Sequence, residues 1–389
     1  MLVLKPQWQL GMRVAALLGA AFLILQPGQP GFWSSWLPAL ALLPAGGLAL
    51  SRARRGAPAA VAIGLGLFYA SALAAVWSAY HQPAAWQKFG GLVMAGLLFD
   101  ALASLAPAAL WRGAAALGAG GAALAVGFFC WGWDSHPVAG LAAAGLPLLL
   151  AGGQRCAQAG RRWPALAAAA AAGVSGLAVI AAGRRLAWLG LAAAGGLWLA
   201  GWVVGQVRRR PLPVWAGWLG AGVGAGALGL LVAMFGGPAI TELGARLAGQ
   251  ALAWRLAGDY AWVGAGLGAF AGVYSHDMLG LPWLFIPHGY SVYVNVAVEQ
   301  GAAGLLALGL MWGGSAWRLW RSRTAPPALR SAALASSLIL ALYAAAEDPF
   351  YTAWGGAALF MLSGLSLGLS GPPATARRGP LAGWAVVAA

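Results

Sequence analysis

Three polar residues near the start of an apolar segment at 288 to 312 could carry acid–base chemistry. His288 follows Pro287, a residue that suits the first turn of a helix. Asn295 and Glu299 lie seven and eleven residues further on, so these polar positions share one helical stripe that descends about 16 Å. The helix dipole keeps an N-terminal imidazole neutral, as a base must be. The stripe predicts either a buried reactive site or a hydrogen-bonded packing seam.

Two adjacent arginines offer positive charge elsewhere in the chain. Arg184 and Arg185 lie in a short turn between two apolar segments. They could snorkel to a membrane interface, or they could bind an anionic partner.

Two more arginines lie in the longest connection between apolar segments. Arg246 and Arg255 are nine residues apart, so one straight helix places them on opposite faces and they are not expected to share a ligand. Each also has an acidic residue four positions away, so both could be ordinary ion pairs.

The remaining polar residues give weaker signals. Asp134 and His136, with His81 in another turn, do not form a clustered ligand set, so no metal site and no cofactor are predicted. The EDPF run at 347–350 ends an apolar segment and is either a pair of orienting carboxylates or a solvated turn. Cys130 and Cys156 fall on opposite sides of the predicted membrane and are assigned no role.

The composition defines the class of protein. Hydrophobic residues make up 61% of the 389 positions and charged residues only 8%, which excludes a water-soluble fold. The net charge of +15 does not indicate nucleic acid, because the basic residues form short clusters between apolar segments. We therefore predict one polytopic all-α membrane domain over 1–389, with membrane lipid as a partner and no nucleic acid.

Apolar runs long enough to cross a bilayer recur along the chain. About twelve spans are predicted, at 11–26, 32–50, 58–78, 89–108, 112–131, 137–151, 163–182, 185–206, 213–236, 288–312, 329–346 and 353–370.

The charges predict the orientation of these spans. A cytoplasmic N-terminus places 18 of the 23 basic residues inside, together with the C-terminus, and leaves all four histidines and seven of the eight acids outside. Any active site is therefore expected on the outer, periplasmic face of the cytoplasmic (inner) membrane.

The long outer connection, at 237–287 between spans nine and ten, has its own predicted structure. Its first part, from Ile240 to Trp262, is expected to form an amphipathic helix on the membrane surface. The remainder, rich in Gly, Pro and aromatic residues, is expected to be an irregular flap.

The order of these features from about Val179 to Leu369 resembles the O-antigen ligase family of bacterial membrane glycosyltransferases. That family also includes O-antigen and exopolysaccharide polymerases and protein O-oligosaccharyltransferases. An outer Ser-Arg turn of the family is matched by Gly183-Arg184 and the following LAWLGL, with glycine in place of serine. An arginine eighteen residues before a glycine-rich segment is matched by Arg246 and GAGLGAF at 264–270.

Two further family motifs lie after the flap. The helix-opening His-Asn is matched by His288-Gly289, with glycine in place of asparagine, and the later Glu-x-Gly is matched by Glu299-Gln300-Gly301.

The resemblance implies transfer of a glycan from an undecaprenyl diphosphate carrier to a hydroxyl acceptor, which would be lipid A core, a growing glycan or a protein. It implies an inverting, metal-independent reaction. Arg184 and Arg246 would stabilise the departing diphosphate, and His288 would orient or deprotonate the acceptor. Substrate-binding positions would be Arg185, Arg255, Tyr290, Asn295 and Glu299.

Other classes of protein remain open. Within the family, a polysaccharide polymerase or a protein O-oligosaccharyltransferase would share these residues. A flippase for lipid-linked sugars would also use basic residues in a membrane cavity, although no internal repeat is evident. A peptidoglycan-type glycosyltransferase and a structural membrane protein are further alternatives.

Overall fold

The computed structural model describes residues 15, 58–105, 107–133, 135–183, 187–188, 190–196, 238–279, 288–347 and 353–371. Within these ranges every regular element is helical and no β-strand occurs, which confirms the all-α class. The spans predicted at 32–50 and 213–236 lie outside the described residues, as do nearly all of 11–26 and much of 185–206.

The described helices are named in chain order. They are α1 (Ala59–Ser78), α2 (Gln82–Ala103), α3 (Pro107–Trp131), α4 (Ser135–Gln158), α5 (Arg162–Ala181), α6 (Pro238–Asp259), α7 (Phe270–Val273), α8 (Val292–Leu308), α9 (Gly314–Arg321), α10 (Pro327–Ala346) and α11 (Ala353–Leu369). Two π-helical turns follow directly on helices, Tyr274–Leu279 after α7 and Gly309–Gly313 between α8 and α9. Residues 187–188 and 190–196 are also helical.

Six stretches among the described residues are long and apolar enough to cross a membrane, which confirms a polytopic membrane protein. They are Ala59–Ser78, Ala109–Trp131, Pro137–Gln158, Arg162–Ala181, Val292–Arg321 and Pro327–Ala345. The total of about twelve spans stays a prediction.

Helix α2 begins seven residues before the span predicted at 89–108. His81 caps it, because its Nδ1 atom accepts a hydrogen bond of 3.3 Å from the amide of Ala84. Pro83 lies in the first turn, where the missing amide hydrogen costs nothing. The helix therefore includes Lys88, which directly precedes the predicted span.

Small residues let the helices of the bundle approach closely. A Cβ atom on Gly364 of α11 would lie 2.3 Å from the carbonyl oxygen of Phe99 in α2, and one on Gly368 would lie 2.9 Å from that of Leu102. Such glycine contacts, one helical turn apart, are typical of membrane helix pairs. They account for the close packing of α2 against α11.

One end of the bundle is rich in arginine. Arginines lie near the start of α3 and at the helix ends and turns where α4 meets α5 and α9 meets α10, at 112, 155, 161, 162, 318, 321, 323 and 330. Arg155 stacks over the Trp111 ring at 4.4 Å, and the Arg330 guanidinium donates a 2.6 Å hydrogen bond to the carbonyl of Ser322. His81 and His288 lie toward the opposite end, where α2 and α8 begin, together with Glu347 at the end of α10. Which end faces the cytoplasm stays a prediction.

A second, smaller hydrophobic cluster lies beside the main core. Its buried members come from α6, α7 with its π-helical turn, and the first part of α8: Ala253, Leu256, Ala257, Phe270, Tyr274, Val294, Ala297 and Val298. We call residues 238–279 and 288–300 the side module. The region that we predicted to be an irregular flap thus includes a short helix and a π-helical turn.

Candidate functional site

Helix α8 is interrupted at Gly301, inside the Glu299-Gln300-Gly301 motif. The backbone there has φ 68° and ψ −167°, a conformation that favours glycine. A Cβ atom at this position would lie 2.6 Å from the carbonyl oxygen of Trp262. The motif therefore requires its glycine for backbone geometry and for close approach.

The glycine-rich loop after α6 occupies the gap in α8. Ala265 donates its amide to the carbonyl of Val298 at 2.7 Å, and Ala302 donates to the carbonyl of Ala261 at 2.7 Å. The amide of Gly266 adds a longer hydrogen bond, 3.3 Å, to the carbonyl of Glu299. Interrupted backbone at membrane depth needs such partners. The 264–270 and 299–301 motifs, recognised separately in the sequence, are thus in direct contact.

Replacement of Gly264 by alanine is expected to destabilise this junction by roughly 2 kcal/mol or more, through a strained backbone and a steric clash. Gly264 has φ 82°, and a Cβ atom there would lie 2.2 Å from the carbonyl oxygen of Glu299. Thermal unfolding of the purified protein in detergent measures the effect.

Gly258→Ala in α6 is the matched control, since a Cβ atom at that helical position meets nothing within 4 Å. Alanine there is expected to be neutral or stabilising. Equal midpoints for the two variants would contradict the close contact described for Gly264.

Glu299 forms an ion pair with Lys88 of α2. The lysine Nζ atom lies 2.9 and 2.7 Å from the two carboxylate oxygens, and only 5% of the glutamate side chain is exposed against 28% of the lysine. Next to it, Ser71 of α1 donates a 3.1 Å hydrogen bond to the side-chain oxygen of Gln300. No role for Lys88 is predicted from the sequence. A lysine followed directly by a long apolar run was the available signal.

His288 lies ahead of α8, which begins at Val292, so the prediction that it occupies the first helical turn is wrong. Asn295 and Glu299, one turn apart on α8, are both buried. The Asn295 side-chain oxygen accepts a 2.8 Å hydrogen bond from the amide of Gly289. The asparagine therefore fixes the turn that carries His288 even though the histidine does not share its helix.

The backbone of this turn is held from several directions. Tyr290 has a positive φ of 52°, unusual for a residue with a side chain. Gln250 of α6 donates from its side chain to the carbonyls of Tyr290, at 2.9 Å, and Ala345, at 3.2 Å. The Ser291 hydroxyl donates to the carbonyl of Ala344 at 3.3 Å. Gln250 was missed by the sequence analysis, although an amide on an apolar stripe was visible.

The imidazole of His288 has a defined tautomer when it is neutral. The amide of Tyr290 donates to its Nδ1 atom at 3.3 Å, so the neutral ring carries its proton on Nε2. The ring of Tyr290 lies edge-on to it with centroids 5.0 Å apart. The neutral ring thus presents a hydrogen-bond donor at Nε2.

We expect nitrogen NMR of the protein labelled with ¹⁵N-histidine, in alkaline buffer, to show His288 as the Nε2–H tautomer. The chain has only four histidines, and the spectrum of the His288→Gln variant assigns the signal. An Nδ1–H tautomer for the signal lost in that variant would contradict the hydrogen bond from Tyr290.

The predicted arginines are only partly described. Arg246 lies within α6, at a position that shares a helical stripe with Gln250, Ala253 and Ala257, all buried on the side toward α8. Arg255, nine residues further on and therefore on the opposite face of the helix, is exposed. The side chain of Arg246 and all of Arg184 and Arg185 lie outside the described residues.

Acidic residues of the same end have different surroundings. Glu347 follows α10 and is buried, with its amide donating to the carbonyl of Tyr343 at 2.9 Å, while the rest of the EDPF run is outside the described ranges. Asp277 lies 2.8 Å from the His276 ring and accepts a 3.2 Å hydrogen bond from the Tyr260 hydroxyl. Burial, followed by the Asp277 carboxylate, raises the pKa of Tyr260.

Comparisons with protein-family models and with curated proteins found no match. The described structure forms two neighbouring groups of polar contacts. Ser71, Lys88, Glu299 and Gln300 lie at the break in α8, and Gln250, His288, Tyr290 and Asn295 lie at the turn before this helix. Chemically, they provide a donor at the His288 ring and a fixed carboxylate–ammonium pair.

Proposed function

We propose that this protein is a membrane glycosyltransferase that moves a glycan from an undecaprenyl diphosphate carrier to a hydroxyl acceptor. The acceptor would be lipid A core, as in an O-antigen ligase, or a growing glycan or a protein. In this proposal the chain has about twelve spans, both termini are cytoplasmic, and the site faces the periplasm across the inner membrane.

The observation that carries the proposal is the junction between the glycine-rich loop and the break in α8. Three features that the resemblance treats as separate motifs belong to one structural unit: the helix that contains Arg246, the loop at 264–270, and α8 with the preceding His288 turn. This unit lies at the end of the bundle that holds His81 and Glu347. A site at one end of the helix bundle can reach both a donor held in the membrane and an acceptor outside it.

Each residue type suits a part of the reaction. The acceptor oxygen bonds to the anomeric carbon, and the bond from that carbon to the diphosphate oxygen breaks, with inversion. The diphosphate leaves with the electron pair and takes up the hydroxyl proton. Arginine forks at Arg246 and Arg184 stabilise that charge, and the Nε2–H of His288 orients the acceptor oxygen.

A reconstituted transfer assay tests the proposal. Purified protein is combined with a lipid-diphosphate-linked glycan and with lipid A core, glycan or peptide acceptors, with and without chelator. We expect product with one acceptor class, formed equally in the presence of chelator. Donor binding without product for any acceptor would overturn the transferase proposal.

A second candidate, transport of a lipid-linked sugar, is favoured by one observation. A membrane helix broken at Gly301 next to a part-buried Lys88–Glu299 pair is an arrangement that transporters use for substrate and ion sites. Proteoliposomes loaded with fluorescent lipid-linked glycan separate the two functions. Flipping between leaflets without covalent transfer supports the transporter, and transfer without flipping excludes it.

A further inference from the structure

The break at Gly301 changes what determines the orientation of the first part of α8. In an unbroken helix, continuous backbone hydrogen bonds would hold the residues before position 301 in line with those after it. Here the hydrogen bonds from the loop to Val298 and Glu299 join parts of the same side module, and of the three junction bonds the one from Ala302 to Ala261 crosses the break. Contacts that cross from the side module to the bundle therefore fix its position.

Some of these contacts are apolar: Leu267, Val292 and Val296 of the side module are buried in the main core of the bundle. Neutral hydrogen bonds also cross. They link Gln300 to Ser71, Leu267 to the carbonyl of Ala75, Ala302 to the carbonyl of Ala261, the Tyr293 hydroxyl to the carbonyl of Ala341, and the Gln250 and Ser291 side chains to the end of α10. The Lys88–Glu299 pair is the charged one in this part of the chain. Charge-assisted hydrogen bonds are roughly twice as strong as neutral ones, so this pair is the strongest single polar link between the side module and the bundle among these residues.

Stability alone does not account for this pair. Burying the Glu299 carboxylate is costly even beside a lysine that stays 28% exposed, and replacing a buried ion pair by apolar residues is often neutral or stabilising. Charged residues in membrane segments generally mark functional positions. Glu299 lies one turn from Asn295, which holds the amide of Gly289 beside His288. A shift of Glu299 is therefore transmitted to the histidine turn through one rigid helical turn.

We propose that Lys88 is a positioning residue: by holding Glu299, it sets the side module and the His288 turn against the bundle. Lys88 lies in α2, outside the half of the chain that carries the family resemblance. The effect on rate depends on the proposed glycosyltransferase function, whereas the effect on position can be measured without any activity.

The double variant Lys88→Met/Glu299→Gln provides the sharpest test. Lys88→Met alone leaves a buried carboxylate unpaired and could unfold the protein, but the double variant removes both charges. Nitroxide labels at Trp163→Cys on the bundle and Trp262→Cys on the side module, in a Cys130→Ser/Cys156→Ser background, report the distance by pulsed EPR. Both tryptophans are exposed, at 82% and 86%.

We expect the double variant to keep a near wild-type melting temperature but to give a broadened or shifted distance distribution. Its kcat for glycan transfer is expected to fall by about 100-fold with little change in KM for the donor, as misplacement by about 1 Å can cause. Lys88→Arg, which retains the pair, is expected to restore both the narrow distribution and most of the rate.

Arg330→Met is the matched control, because Arg330 makes a structural contact at the other end of the bundle. It is expected to change the melting temperature without changing the distance distribution or kcat. A double variant with the wild-type distribution would overturn the positioning role, whether or not the protein transfers glycan. A changed distribution in a wild-type protein that lacks transfer activity would retain the positioning role and overturn only the proposed reaction.

Discussion

Replacement of His288 by alanine is expected to lower the rate of glycan transfer by about 100-fold or more, the usual contribution of a positioned acid–base or donor side chain. The histidine lies in a turn whose backbone is fixed by Asn295, Gln250 and Ser291, so its ring has a defined place. Loss of the ring leaves these contacts intact. The melting temperature should therefore stay near wild type while kcat falls, as measured in the reconstituted assay.

His288→Gln distinguishes a hydrogen-bond donor from a base. The hydrogen bond from Tyr290 places the proton of the neutral ring on Nε2, where a glutamine amide can also donate. We expect the glutamine variant to retain more activity than the alanine variant. Equal loss in both would favour the role as base over the role as donor.

His81→Ala serves as the control for loss of an imidazole. His81 is exposed and caps α2, so its loss costs on the order of 1 kcal/mol of stability but no rate. A fall in kcat comparable with that of His288→Ala would show that the assay responds to the stability of the protein.

The sequence was informative wherever a single segment determined the outcome. Apolar length predicted the spans of α1, α3, α5, α10 and α11 to within a few residues, except at the start of α3. It was less accurate for α2, whose start depends on a capping interaction by His81 that hydropathy does not register. The predicted start of α8 was also wrong. The chain from His288 to Ser291 forms a turn instead, because hydrogen bonds with Gln250 and Ala344 hold its backbone and side chain.

Contacts between distant segments could not be predicted from spacing. The stripe of Asn295 and Glu299 was evident from helical periodicity, but the partner of Glu299 is Lys88, 211 residues away. Likewise, Gly301 in an apolar run is compatible with an ordinary helix, and only its contact with Ala261 and Trp262 explains its conformation. Order along the chain indicated that the two glycine motifs belong together without showing how.

Replacement of Arg246 by alanine is expected to reduce transfer by about 100- to 1,000-fold, the usual effect of removing one group that stabilises a developing anion. Arg246 lies in α6 four residues before Gln250, which contacts the backbone of Tyr290. Its position on the helix is therefore on the stripe directed toward the histidine turn. Kinetics at saturating donor measure the loss, with the melting temperature recorded alongside.

Arg255→Ala is the matched control on the same helix. Arg255 is exposed and lies nine residues further on, half a turn away from the stripe of Arg246. We expect its loss to change kcat by only a few-fold, about the size of a screened surface interaction. Arg246→Lys should recover part of the rate, since lysine keeps the charge but not the fork that fits two phosphate oxygens. If Arg255→Ala were the more damaging change, the glycine-rich loop would have been matched to the wrong arginine, and the diphosphate would lie on the opposite face of α6.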